Sequence, residues 1–246
     1  MPAGGRSAGP EVIWTRPERT GRGPRPAHTR AEIARAAVRI ADADGIEAVS
    51  MRRVAAEIGC GTMSLYNYVP RKEDLYELMV DAAAEEHDLS ALPTGDWRAD
   101  MLTVARDTRD LMRRHPWLTR LLSAAYGFTP NTLRHLERCM AALEGLDATG
   151  GAKLELLSMI NGSVMAFVSN EVAAAERARA VPWTPEEEQA VRNAYLTAEL
   201  GSGRYPHLAA AVAENPAPTG PHDYEAAFER AVGRLLDAFD HGGSTA

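Results

Sequence analysis

Apolar residues along this chain recur three and four positions apart, and no stretch shows the alternation of polar and apolar residues that a half-buried strand requires. That pattern restricts the chain to helices packed on helices, an all-α fold. A first helix opens at Thr29, whose spacing to Glu32 makes a capping box; it carries Ile33, Ala37 and Ile40 on one face and stops at Gly45. Ser50 caps a second helix with Val54, Ala55 and Ile58 on its apolar side and Gly59 at its end. A short third helix over 62–68 turns Leu65 inward and ends because the residue before Pro70 must leave helical geometry. From about Arg71 a fourth presents Leu75, Leu78, Met79, Ala82 and Ala83.

The helical period continues beyond residue 90. Residues 97–114 place Met101, Val104, Ala105, Thr108, Leu111 and Met112 on one side and end at His115-Pro116. A short helix follows over 118–125, and another runs from Pro130 through Leu133, Leu136, Met140 and Leu143 to Gly145. The longest, 153 to about 179, carries Leu157, Ile160, Val164, Phe167, Val168 and Val172. Thr184, Pro185 and Glu187 supply the N-cap, N1 proline and N3 glutamate of the next. The Gly/Pro-rich stretch 201–221 holds one helical piece at 205–214, and a last helix over 224–240 presents Phe228, Ala231, Val232, Leu235 and Phe239.

Charge divides the chain. The net charge is −7, yet residues 1–72 hold twelve Lys/Arg against seven Asp/Glu, while 73–246 hold fifteen against twenty-seven. A basic module on an acidic body approaches a polyanion with one face and repels it with the rest. Residues 1–28 contain five Pro, five Gly and five Arg with no sustained apolar period apart from Trp14, and read as a flexible arm. Arg16, Arg19, Arg22 and Arg25 suit either a solvated tail or an arm that follows phosphates or enters a minor groove. No run approaches the roughly 18–20 uninterrupted apolar residues of a bilayer span, and the N-terminus lacks an apolar signal core, so a soluble, cytoplasmic protein is expected, without membrane contact. Cys60 and Cys139 lie far apart without metal-ligand spacing, which leaves no support for a disulfide framework or a zinc site.

The most informative spacing is a small Ala55, Gly59 four positions on and Leu65 six beyond that. In a helix-turn-helix Ala55 permits close crossing, Gly59 takes the positive φ of the turn, and Leu65 anchors the recognition helix. The outer face then offers Thr62, Met63, Ser64, Asn67 and Tyr68 to a major groove. An ordinary helical hairpin satisfies the spacing equally; the basic module, the Arg arm and the tyrosine pair favour DNA.

Residues 29–76 closely resemble the DNA-binding domain of TetR-type transcriptional regulators, through Gly59, Leu65-Tyr66, Tyr68-Val69, Lys72 and Leu75. The C-terminal part resembles the subgroup with a tetracycline-repressor-like ligand domain, through the Trp14-Thr15-Arg16-Pro17 arm, residues 21–26 and the Tyr205-Pro206-His207-Leu208 segment. The resemblance implies an arm over 1–28, a helix-turn-helix domain over 29–75 and a helical ligand-binding and dimerisation domain over 76–246. It also implies that Thr62, Met63 and Ser64 face base edges with Asn67 at the groove, that Tyr66, Tyr68 and Lys72 hold phosphates, and that Arg52 can reach a guanine. Arg53 would meet phosphate or solvent.

For the C-terminal half, the resemblance implies a four-helix dimer interface from the helices over 153–179 and 224–240, whose apolar faces would equally serve an internal core. Candidate pocket residues are Trp117, Tyr126, Phe128, Met165, Phe167 and Asn170. Tetracycline-repressing relatives hold the drug's metal with a His closely followed by Thr-Arg-Pro; His115 has no such run and no carboxylate or second His at ligand spacing, so neither tetracycline nor a metal is implied. The expected protein is a dimeric repressor of a palindromic double-stranded operator, released by a small-molecule inducer that swings the fourth helix, with no cofactor. A ligand-independent DNA-binding or interaction protein is the alternative. An enzyme lacks any GxSxG, phosphate loop, carboxylate pair or metal cluster to support it. A redox sensor at Cys60 competes with a small residue filling the turn.

Overall fold

A computed structural model describes residues 12–16, 28–122, 128–214 and 223–240. Among them are eleven α-helices and no strand: α1 Arg30–Asp44, α2 Met51–Glu57, α3 Thr62–Tyr66, α4 Lys72–Ala84, α5 Trp97–Arg114, α6 Leu118–Leu122, α7 Pro130–Ala142, α8 Gly150–Ala180, α9 Pro185–Gly201, α10 Pro206–Glu214 and α11 Tyr224–Asp240.

Local chemistry sets most boundaries. Thr29 Oγ1 accepts the Glu32 N–H at 3.1 Å while Glu32 returns a carboxylate to the Thr29 N–H at 2.8 Å, and Gly45, at φ 83°, ends α1. Thr184 and Glu187 make the same exchange at α9. At α4 the cap is Arg71, whose side chain cannot accept a hydrogen bond; the Asp74 carboxylate compensates by accepting the Arg71 N–H at 3.1 Å. The third helix stops at Tyr66, earlier than its apolar pattern suggests. The longest begins at Gly150 rather than Lys153, because Thr149 caps it by accepting the Ala152 N–H at 3.2 Å despite two glycines in the first turn. The sixth helix is described as far as Leu122, so the rest of the expected 118–125 helix lies outside the described residues.

Two bundles share α4. On one side it packs against α1, which with α2 and α3 buries Ile33, Ala36, Ala37, Val54, Ala55 and Leu65; on the other it meets α6 and α7. Helices α5, α8 and α11 pack together around Met101, Met112, Leu156, Ile160, Val164, Phe228 and Val232. Arg109 of α5, 1% exposed, crosses this second core: Nη2 donates to Glu171 Oε1 of α8 at 2.6 Å, Nη1 to Glu225 Oε2 of α11 at 3.0 Å, and the guanidinium lies 4.2 Å from the Phe228 ring centre. Helix α8 is long and apolar enough to cross a bilayer by length and composition alone, a property its uninterrupted apolar runs did not foretell. Its Leu156, Leu157, Ile160, Val164 and Val168 are instead buried within the protein.

Part of the expected arm is docked. Ile13–Thr15 form a 3-10 turn with Ile13 fully buried, and Arg30 Nη1 donates to the carbonyls of Ile13 and Arg16, both at 3.0 Å. Residues 12–16 are therefore part of the body, because two apolar side chains and a pair of carbonyls found partners on it. Arg19, Arg22 and Arg25 lie outside the described residues.

Candidate nucleic-acid interface

The turn between α2 and α3 is closed by its own backbone. Gly59 takes φ 72°, the Cys60 N–H donates to the Ala55 carbonyl at 2.9 Å, and the Gly61 carbonyl accepts from Ser64 and Leu65 at 2.9 and 3.1 Å. Val54, Leu65 and Val69 are fully buried and Ala55 is 1% exposed, so the inner side of the turn is committed to the core. Ser50 Oγ starts α2 by accepting the Arg53 N–H at 3.3 Å.

The opposite face of α3 is left to solvent. Met63 is 79% exposed and Tyr66 42%, with Ser64 and Asn67 exposed and Thr62 and Tyr68 half-buried. Asn67 Nδ2 donates to the Met63 carbonyl at 3.4 Å, and His28, two residues before α1, meets Tyr68 edge-on with ring centres 6.5 Å apart. At the N-terminus of α4, which follows α3 in the chain, Lys72 Nζ lies 5.2 Å from the centre of the Tyr76 ring. Arg52, exposed on α2, forms no ion pair among the described residues, whereas Arg53 is paired with Asp44 and Arg39 with Glu57 at 3.3 Å. The result is a hydroxyl, amide and thioether surface flanked by two cations. Such groups can hydrogen-bond base edges and phosphates and contact a thymine methyl.

The pocket candidates are not gathered in this way. Trp117 is 3% exposed, but its indole N–H donates to Asp42 Oδ1 of α1 at 2.7 Å, which commits it to the contact between the two bundles rather than to a cavity. Phe128 is 80% exposed, Asn170 is exposed, and Met165 and Phe167 are half-buried, with Phe167 edge-on to Phe228 at 5.4 Å. Tyr126 lies outside the described residues. An open cleft of about 290 Å³ lies elsewhere, between α1 and α4 and lined by Trp14, Arg30, Ala34, Leu78, Asp81 and Glu85 among others.

His115 ends α5, as its place before Pro116 suggests, and gains partners that the sequence does not show. It lacks carboxylates nearby in the chain, yet its Nδ1 lies 2.8 Å from Asp42 Oδ1 and its Nε2 3.1 Å from Glu86 Oε1. The signal was unreadable because these partners are 73 and 29 positions away. His87, Asp107, His135 and Cys139 form another polar group: His87 is bonded to Asp107 and its ring stacks on His135 at 3.9 Å. Burial, reinforced by His87, pushes His135 down to about 4, and burial with the Asp107 charge pushes the Cys139 thiol up to about 12. Cys60 is half-buried, and both cysteines are free.

Residues 33–79 match the family of bacterial regulatory proteins called tetR, and residues 89–240 match the tetracyclin repressor-like C-terminal domain. The chain is 35% identical over 231 residues to the HTH-type transcriptional repressor DrrR1 of Streptomyces coeruleorubidus, covering 94% of this chain and 84% of that one. It is 32% identical to an HTH-type transcriptional regulator of Saccharopolyspora erythraea, covering 92% and 90%. Among solved structures, ActR of Streptomyces coelicolor in complex with (S)-DNPA has the same fold, with a TM-score of 0.70 at 22% identity, covering 88% of this chain and 99% of that one. The complex of ActR with actinorhodin gives a TM-score of 0.69 at 23% identity, covering 89% and 99%. The closed turn, the solvent-facing recognition helix and family matches on both parts lead to one conclusion: the chain belongs to the TetR family of helix-turn-helix transcriptional regulators.

Proposed function

We propose that this protein is a ligand-responsive transcriptional repressor that binds a palindromic operator as a homodimer and releases it when a small-molecule inducer binds the C-terminal bundle. The observation that carries the reading is the α3 face, where six side chains between Thr62 and Tyr68 are wholly or partly open to solvent while the intervening Leu65 is fully buried. Thr62, Met63, Ser64 and Asn67 read base edges; Tyr66, Tyr68 and Lys72 hold phosphates; Arg52 reaches a guanine from α2. One such helix reads few bases, so two half-sites about one helical turn apart are required, and a second copy supplies the other reader. The repressor DrrR1 supports repression, and ActR, solved with (S)-DNPA and with actinorhodin, supports a small-molecule inducer. Met165 and Phe167 are the pocket candidates that fit this reading; its compartment is the cytoplasm, where operator DNA is available.

Selection of bound fragments from random duplex DNA at roughly physiological salt tests it, since nonspecific attraction is screened there. One palindromic motif is expected. Tyr66→Phe should then weaken all sequences alike, whereas Arg52→Ala or Thr62→Ala should change which bases are preferred, at about 1–3 kcal/mol per lost contact. Equal effects of all three on both properties would overturn the assigned roles, and recovery of no motif would overturn the operator reading itself.

A further inference from the structure

We propose that His115 is a positioning residue that sets the angle between the DNA-binding module and the regulatory bundle, by holding a carboxylate from each side of the moving joint. The proposal rests on the operator-binding reading above. His115 is 6% exposed in the bend between α5 and α6. Its Nδ1 faces Asp42 Oδ1 at 2.8 Å, in the last turn of α1, and its Nε2 faces Glu86 Oε1 at 3.1 Å, just past the Glu85 cap of α4. A neutral imidazole has one N–H and can serve one of these acceptors; an imidazolium donates to both.

The surrounding groups complete a bracket. Trp117 Nε1 donates to the same Asp42 oxygen at 2.7 Å, Arg114 Nε donates to Glu86 Oε2 at 3.3 Å, and Arg120 pairs with Glu47 just beyond the end of α1. The His115 and Trp117 rings lie 5.6 Å apart, which limits rotation of the imidazole. Because Asp42 and Glu86 belong to α1 and to the end of α4, any swing of α4 relative to α1 stretches at least one of the two bonds. A buried polar group left without its partner costs more than a bond is worth when made, so the bracket favours one orientation over intermediate ones. A ligand that turns α4 must open this bracket, and its strength sets how much ligand binding is felt at the DNA.

The test uses the full-length protein, with Glu86→Gln and His115→Gln alone and together. The selected duplex serves as the DNA probe, and amide hydrogen exchange is read over residues 41–45 and 81–86. Each variant should change operator affinity by about fivefold or more, with the double variant losing clearly less than the sum of the two single losses. Exchange should rise about tenfold in those two segments while α8 is unaffected. Unchanged exchange or additive effects of the two substitutions would overturn the proposal. Glu86 is half exposed, so its variant keeps the fold even where His115→Gln does not. If the unaltered protein recovers no duplex, the operator reading fails by itself, and exchange still decides the bracket.

Discussion

The helix-turn-helix module and the outer C-terminal helices treat apolar surface in opposite ways. In α1–α3 the apolar side chains meet partners within the chain, and the large ones left outside, Met63 and Tyr66, stand on the outer face of α3. No described side chain of α9 or α10 is buried, and Val191, Tyr195 and Leu208 are 70%, 68% and 50% exposed, as are Leu154 and Met159 on α8 at 45% and 44%. The first region is a finished core whose one open face is the outer side of α3. The second is well-capped helix whose apolar residues are unspent, and exposed patches of this kind mark surfaces that another surface covers.

Substitutions should separate the two regions in order of cost. Arg109→Ala is expected to lose the most, about 3–5 kcal/mol in denaturant unfolding, because Glu171 would remain largely buried without its closest guanidinium. Arg113, also bonded to Glu171 at 2.8 Å, keeps the loss toward the lower end. In the module, Leu65→Ala should cost about 2–4 kcal/mol and abolish DNA binding, while Met63→Ala should leave the unfolding midpoint almost unchanged and alter operator preference only. If Met63→Ala proved as destabilising as Leu65→Ala, the division between anchor and reader on α3 would collapse.

The module was the more legible part for a physical reason. Thr29 with Glu32, Ser50, Gly45 and Gly59 act over three or four residues, so caps and stops can be read without knowing what the helices touch. The recognition face followed because burying Leu65 fixes the orientation of every other α3 side chain. In the C-terminal half, pocket candidates were chosen by residue type, and which helix face turns inward depends on partners far away in the chain. Trp117 illustrates this, since its indole is held by Asp42, 75 positions earlier. Arg109 reads as one more surface arginine until Glu171 and Glu225 are brought to it from 62 and 116 positions away. The docking of Ile13 needed Arg30 as well as an apolar pair, and of these the sequence singled out only Trp14.

A smaller effect distinguishes the bundle interior from both surfaces. His135 is held near 4 in the folded protein, below the ordinary histidine value of 6.5, so the unfolded chain binds the extra proton first. Stability from this site is fully present above about pH 6.5 and is lost as pH falls toward about 4, by about 3 kcal/mol. His135→Gln, which cannot take up that proton, should flatten the unfolding free energy over that window. An unchanged slope would place the acid sensitivity in other groups.

The smallest expected change in stability falls on α9 and is the most diagnostic for the comparison. Val191→Ser with Tyr195→Ser removes apolar area that is already exposed within the chain, so the unfolding free energy of a monomer should move by less than about 0.5 kcal/mol. If a second copy covers this surface, the same double variant must weaken association, and sedimentation across a dilution series should show the dimer dissociating at higher protein concentration than in the unaltered protein. Operator affinity should fall in step with dimer loss rather than with any change at α3, because Thr62, Met63 and Asn67 are unaltered in this variant. A variant that stays fully dimeric would move the interface away from α9 and leave α8 with α11, whose Leu154 and Met159 also face outward, as the surfaces that pair.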